Sequence, residues 1–411
     1  MPSYGATLRI FYAYGFLSSA MLDQFVWMVY LMGRGYPASG VGLAMLAFSV
    51  AYVIFSVPSS YLSDRTGRRP FLVWGPFLKV ISAFLFMDAR SLGVVLAGAA
   101  CTGIASSVIT GTDQASLHDV LVSCGREQQV NERLSRFASA QVLGNTLGGL
   151  LGGFIARMSY QWLYWAEAAV SAMAVVAGLF VPTVPVSRVR HKTCRGVPRR
   201  ALDAVEALRS ISAQGPYFTG FLALTVASWT VYSLGRDLVQ PVLGAHDMDP
   251  AVISSLFTAG GLALMAGRRI AGRLDAPEYR AGFSLHMLPF AAAVLAGGTL
   301  GMMRRTGRLP WVLAVGASLV CGRLVCAFSS QIQEVWLLGN APAGLKATTL
   351  SLAGSATALV NGVSFYLLGL VSTRHGPSMP LFILGVACLG LHLLWQGWRH
   401  YRPRTPEGCA E

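Results

Sequence analysis

Apolar residues come along this chain in long runs, separated mostly by short polar turns. Twelve such segments can be delimited. The first six are Leu8–Met32, Gly40–Leu62, Phe71–Phe86, Leu92–Leu121, Phe137–Ile155 and Trp162–Val181. The second six are Tyr217–Leu243, Val252–Ala266, Gly282–Met303, Trp311–Leu338, Leu345–Val371 and Met379–Gln396. A helix needs about 20 apolar residues to cross the hydrocarbon core. In lipid every backbone polar group must pair internally, so the runs are expected to be helices. A β-barrel would require alternating apolar and polar residues, and no such pattern is present. The expectation is an all-α polytopic membrane protein.

The polar gaps organise these segments. The longest, Thr183 to Gly215, separates two sets of six. The expected organisation is an N-terminal half at 1–182, a basic linker at 183–215, a C-terminal half at 216–398 and a tail at 399–411. Within the linker, Arg199 to Ile211 has helical periodicity. It suits a helix on the membrane surface or a solvated linker helix equally well.

Composition strengthens the membrane reading. Of 411 residues, 54% are hydrophobic and 12% charged, and the mean hydropathy is +0.54. Soluble domains carry about 25% charged residues. The net charge of +14 does not indicate nucleic-acid binding, because the Lys and Arg sit in short loops between apolar runs. With the N-terminus inside, cytoplasmic segments hold 22 of the 32 Lys and Arg, external loops hold seven, and three lie within spans. That bias orients the chain, with both termini cytoplasmic, in the cytoplasmic membrane. One loop, Arg304 to Arg308, falls outside against the rule. The first apolar run is too long for a cleavable signal peptide. The seven cysteines show neither metal spacing nor a disulfide framework.

Charge concentrates in the turn between the second and third segments, "SYLSDRTGRR", Ser60 to Arg69. Here the chain resembles the major facilitator superfamily. Its signature in this loop reads Gly-x-Leu-Ala-Asp-Arg-x-Gly-Arg-Arg, and Leu62, Asp64, Arg65, Gly67, Arg68 and Arg69 match. The resemblance implies twelve transmembrane helices in two six-helix halves. It also implies that Asp64, Arg65, Arg68 and Arg69 form a conformational latch, with Asp119 at the inner end of span four as a partner. Gly67 permits the tight turn. Arginines serving only as topology anchors are the plainer alternative.

Span five narrows the resemblance. Proton-coupled exporters of this superfamily carry Gly-x8-Gly-x3-Gly-Pro-x2-Gly-Gly there. Gly144, Gly148, Gly152 and Gly153 fall at those spacings; Ser135 replaces the leading Gly, and Gly149 the Pro. Glycines four apart make a smooth face for close helix packing. The exporters' Arg in span four is absent, since Ala99 stands four residues before Gly103. The chain therefore looks most like the bacterial proton-coupled drug and metabolite exporters.

Ionisable groups within spans are costly and usually face a cavity or a partner. Asp23 sits deep in span one, with Tyr12, Phe16, Ser19, Trp27 and Tyr30 along one face at helical spacing. Asp23, Trp27 and Tyr30 are expected to face a cavity for an organic cation or amphipathic solute. In span four Asp113 and Gln114 are expected to be buried, with Ser107, Thr110, Gln114 and His118 on one face. Arg323 and Glu334 share a face of span ten with Ser330. Lys79 and Glu167 are read mainly as snorkelling side chains, and Arg236 and Asp237 as either an ion pair or functional groups.

These features predict a secondary transporter working by alternating access. Its expected mode is proton-coupled efflux of a small organic solute, with Asp23, Asp113 or Glu334 exchanging protons. A proton symporter or uniporter for a sugar, peptide or metabolite is the alternative, and a non-transporting sensor or assembly partner the second. The chain shows no phosphate loop, metal-ligand cluster or nucleophilic triad, so neither an enzyme nor a cofactor is expected. The expected partners are substrate, protons and the bilayer, for a monomer.

Overall fold

The structure, a computed structural model, describes residues 4–110, 112–182, 216–245, 247–271, 316–317, 320–324, 330, 333, 337 and 346–400. Among them the chain is all-helical, as its apolar runs predict. The helices are α1 Tyr4–Ser19, α2 Trp27–Gly33, α3 Ala38–Thr66, α4 Arg69–Asp88, α5 Leu92–Ile109, α6 Thr112–Ser123, α7 Val130–Met158 and α8 Tyr160–Phe180. They continue with α9 Pro216–Asp237, α10 Val239–Ala245, α11 Pro250–Ala271, α12 Lys346–His375 and α13 Met379–His400. Seven helices among the described residues are long and apolar enough to cross a membrane. Each expected segment corresponds to described helix except the ninth and most of the tenth. Those two, the linker at 183–215, the Arg304–Arg308 loop and the tail from 401 lie outside the described residues.

The chain divides into two compact units. The first comprises Met1–Val197, Arg236–Leu262 and Ala358–Pro380. In it α1 packs on α7 and α8, α4 on α5 and α8, and α3 on α5. Phe11, Tyr14, Leu72, Leu117, Leu121 and Phe137 form one fully buried cluster. Large apolar side chains such as Trp74, Trp162 and Phe180 stay more than half exposed, as a lipid-facing surface requires. Lipid is as apolar as leucine, so close packing and hydrogen bonds between helices supply the association energy. The Tyr14 hydroxyl donates to the Leu72 carbonyl at 3.0 Å, and the Ser82 hydroxyl to the Gly98 carbonyl at 2.8 Å. The second unit comprises Pro198–Gly235, Ala263–Thr357 and Leu381–Glu411. Its buried groups include Phe218, Phe221, Thr225, Ser228, Leu384 and Cys388.

Two spans depart from the expected continuous helices. Span one is broken between α1 and α2, at residues 20–26. Span four is broken between α5 and α6, where Thr110 leaves the helical region with φ −59° and ψ 122°. Ala20, Leu22, Phe25 and Val26 of the first break are buried, and Thr110 of the second lines a cavity. Non-helical backbone at membrane depth is tolerated only where protein buries it or a cavity borders it.

Within the first unit, segments from late in the chain pack on the start of α3 and the end of α7. A Cβ on Gly42 would press on the Tyr366 backbone, and one on Gly369 on the Ala38 backbone. The Ser39 amide donates to Thr373 Oγ1 at 3.2 Å, and Arg157 pairs with Asp249 at 3.0 Å.

Candidate substrate and proton site

The break in span one contains neither Gly nor Pro, so side chains from other helices must hold its freed backbone. They do so in three places. Lys79 Nζ, on α4, donates to the Ser18 carbonyl at 2.6 Å. Glu167 Oε2, on α8, accepts the Leu22 amide at 2.6 Å. Gln240 Nε2, on α10, donates to the Gln24 carbonyl at 3.0 Å. The Asp23 carbonyl accepts the amides of Val26 and Trp27, which starts α2. Lys79 and Glu167, read from sequence as snorkelling, are instead 8% and 5% exposed and bound to this backbone.

The span-five glycines explain how the break is pressed into place. A Cβ on Gly144 would collide with the Phe16 carbonyl and on Gly152 with the Leu22 carbonyl, and one on Gly148 would sit tight against the backbone of Ala20 and Met21. Gly149 lies under the Phe25 ring, and Gly153 against Ser254. The exporter-like stripe is therefore the bed on which the broken span rests. The Asn145 amide, between two of these glycines, donates to Gln24 Oε1.

The breaks in spans one and four line one cavity of about 250 Å³. Span one gives Ser18, Ser19 and Met21; span four gives Ser106, Ile109, Thr110, Asp113 and Gln114. Lys79, Gln141 and Asn145 complete the wall. Asp113 is 1% exposed and stands in the first turn of α6, where a helix favours negative charge. Its Oδ1 accepts the Gln114 amide and its Oδ2 the Gln141 side-chain amide, each at 2.7 Å. Lys79 lies within electrostatic reach of Glu167, Asp23 and Asp113. One buried cation thus faces three carboxylates.

The expected site residues separate. Asp113 and Gln114 line the cavity, though Gln114 is exposed rather than buried. Trp27 and Tyr30 do not line it. The single face assumed for them ends at the break, and beyond it Trp27 packs edge-on to Phe86. Tyr30 packs on Tyr160 and Tyr164 and donates to the Phe86 carbonyl at 2.8 Å. Asp23 lies in the break, within electrostatic reach of Lys79. His118, expected on the Gln114 face, is half exposed beside Asp119. Arg236 pairs with buried Asp237, at 2.8 Å for Nη2 to Oδ2. Arg323 belongs to the second unit. Glu334 lies outside the described residues, and so do the side chains of Asp64 and Arg65. In the charged turn, Gly67 takes φ 98°, a conformation few other residues adopt. Arg68 Nη2 lies 3.1 Å from Asp119 Oδ2, and Arg69 donates to the Leu179 carbonyl.

A helical membrane protein whose broken spans border a buried, charged cavity belongs to the class of solute transporters. The family model of the Major Facilitator Superfamily matches residues 10–339, and the chain belongs to that family. It is 22% identical over 154 residues to the quinolone resistance protein NorA of Staphylococcus aureus. That match spans 37% of this chain and 38% of NorA. It is 23% identical over 141 residues to an uncharacterized transporter of Buchnera aphidicola, across 34% of this chain and 35% of the relative. Among solved structures, a mutant of the nucleoside transporter NupG superposes with a TM-score of 0.75 at 14% identity, covering 96% of this chain and 99% of that one. A D-xylose–proton symporter gives 0.68 at 14% identity, covering 99% and 100%. These likenesses in structure show the fold. The family and its structural neighbours are transporters, not enzymes.

Proposed function

We propose that this multi-pass transporter exports a small organic solute in exchange for protons. It would act as a monomer in the cytoplasmic membrane, with both termini cytoplasmic. The observation that carries this reading is the cavity bordered by both breaks and lined by Lys79 and Asp113, with Asp23 and Glu167 within electrostatic reach of Lys79 behind its wall. Lys79 and three carboxylates buried within electrostatic reach of it cannot all stay charged unchanged through a transport cycle, because buried ions need compensation. Proton exchange on Asp23 or Asp113, with Lys79 as the fixed counter-charge, supplies it. Arg323 and Glu334 of span ten keep their place as candidates on the sequence alone.

Export is supported by the glycine bed under span one and by the similarity to a quinolone resistance protein. The Arg68–Asp119 pair is the proposed latch. The test is transport in everted and right-side-out vesicles with an imposed pH gradient. Solute should accumulate in everted vesicles acidified inside, and dissipating the gradient should stop it. Accumulation in right-side-out vesicles driven by inward proton flow would reverse the reading to symport.

A further inference from the structure

Tyr164 stands on α8 one turn before Glu167, so the two side chains share a face of that helix. Glu167 uses this face to hold the break in span one, through the Leu22 amide at 2.6 Å. Tyr164 makes no such bond. It is 1% exposed, yet its hydroxyl meets no hydrogen-bond partner among the described residues. The ring is fixed: it stacks on Phe86 with centroids 6.0 Å apart and lies tilted against Tyr30 at 5.0 Å. Other buried tyrosines here use their hydroxyls, Tyr30 on the Phe86 carbonyl and Tyr14 on the Leu72 carbonyl. A buried hydroxyl left without a partner is costly and calls for a role.

Its surroundings supply one. Of the titratable groups near Tyr164, Asp23 in the break bears on it most strongly, followed by Tyr30, Glu167 and Tyr160. From α4, Lys79 reaches both Asp23 and Glu167. The other helices packed on α8, α1 and α7, contribute no such group. The two carboxylates are served unequally. Glu167 has the Leu22 amide. Asp23 takes no hydrogen bond from another residue among the described residues; its backbone donor is its own amide. It also lies outside any helix, between α1 and α2. A carboxylate seeks donors when charged and needs fewer once protonated, and a phenol O–H beside it is a strong donor.

We propose that Tyr164 is a positioning residue for proton exchange, whose hydroxyl donates to Asp23 when that carboxylate is charged and stands idle when it carries a proton. The idle hydroxyl of this structure is then that of the proton-loaded form. Tyr164 keeps its own proton throughout; the exchanged proton moves between Asp23 and water. Lys79 acts on Asp23 through charge, and Tyr164 adds the bond that only the charged form takes up. This rests on the proton-exchange reading above and names the group that tells its two forms apart.

The test needs no substrate. Infrared spectra of the purified full-length protein in detergent, recorded over a pH series, follow the band of protonated carboxyl groups. Asp23→Asn should remove one titrating component. Tyr164→Phe should keep that component and move its midpoint to higher pH, a gain in proton affinity of roughly tenfold or more, because the charged form loses a donor. Tyr30→Phe, which removes a hydroxyl already bonded to backbone, should leave the midpoint in place. At acid pH Tyr164→Phe should unfold at the wild-type temperature or above, since an idle hydroxyl contributes nothing. With ring-deuterated tyrosine, a tyrosine C–O band of the wild type should change in step with the Asp23 component and cease to do so in Asp23→Asn. That reading stands even if Tyr164→Phe does not fold. An unmoved midpoint in Tyr164→Phe, or no component lost in Asp23→Asn, overturns the proposal. A lower unfolding temperature of Tyr164→Phe at acid pH does so too, because the hydroxyl would then be bonded, to water for instance, in the proton-loaded form. The vesicle assay separates the two ideas. Proton-driven transport with an unmoved midpoint sinks the role of Tyr164 and spares the transporter; a shifted midpoint in a protein that moves no solute does the reverse.

Discussion

The breaks in spans one and four border the same cavity but are held in opposite ways. At 20–26 the freed backbone is gripped by Lys79, Glu167 and Gln240 from three different helices, with a glycine bed pressed beneath. Beside the break after Ile109 the cavity face carries Gln114, an exposed side chain in the first turn of α6, and the inner limb α6 is tied by the mostly buried Arg68–Asp119 pair. The first break is clamped through its own backbone, and the second only through α6, by Leu117 and Leu121 in the core, Asp113 on Gln141 and Asp119 on Arg68. If one of the two is the moving part, it is span four. Opening of such elements draws on the less stable parts of a structure.

The strongest way to break this comparison is to fill the bed. Gly152→Leu places a Cβ onto the Leu22 carbonyl, and backbone cannot step aside as a side-chain tip can. Overpacking usually costs about 1–3 kcal/mol, and this site belongs at or above the upper end. Membrane yield and unfolding temperature in detergent should both fall steeply. Gly354→Leu, where a Cβ meets nothing within 4 Å, is the matched control and should leave both nearly unchanged. Equal losses from the two would mean that glycine itself, and not the bed, matters.

A smaller effect comes from loosening one clamp. Glu167→Ala leaves the buried Leu22 amide without its acceptor, a loss of about 1–3 kcal/mol. Glu167→Gln keeps an acceptor oxygen at that place and should recover most of the stability while removing the charge. Stability in the two variants therefore separates the clamp from any part Glu167 plays in proton exchange. If Gln is as damaging as Ala, the charge and not the hydrogen bond holds the break.

The contrast between the breaks was only half legible in the sequence. Apolar run lengths located the spans, and the spacing of Gly144, Gly148 and Gly152 located the bed. The break in span one left no local mark, since Ala20 to Val26 holds no Gly or Pro. Its cause lies in residues 79, 167 and 240, distant in the chain, and a long-stemmed Lys or Glu in a span reads as snorkelling until its partner is known. Trp27 and Tyr30 stand away from this cavity for the same reason, because helical spacing projects a face only while the helix continues. In span four Gly111, next to Thr110, was a local signal that could have located the break. Asp113 was legible because a carboxylate in an apolar run is costly wherever it lies.

The gentlest perturbation sharpens the comparison most. Arg68 and Asp119 are 18% and 19% exposed, and pairs of that kind contribute about 0.2–1 kcal/mol. Arg68→Ala should lower the unfolding temperature only slightly. The inner limb of span four should nonetheless open more often, because this ion pair ties it to the turn after α3. Backbone hydrogen exchange reads that directly. Amides at the end of α6, Val120 to Ser123, should exchange faster, while those of α2 beyond the clamped break stay at wild-type rates. Exchanging the charges, Arg68→Asp with Asp119→Arg, should restore protection of α6. Equal acceleration on both sides would show that the two breaks move together, and the division into clamp and tether would fall.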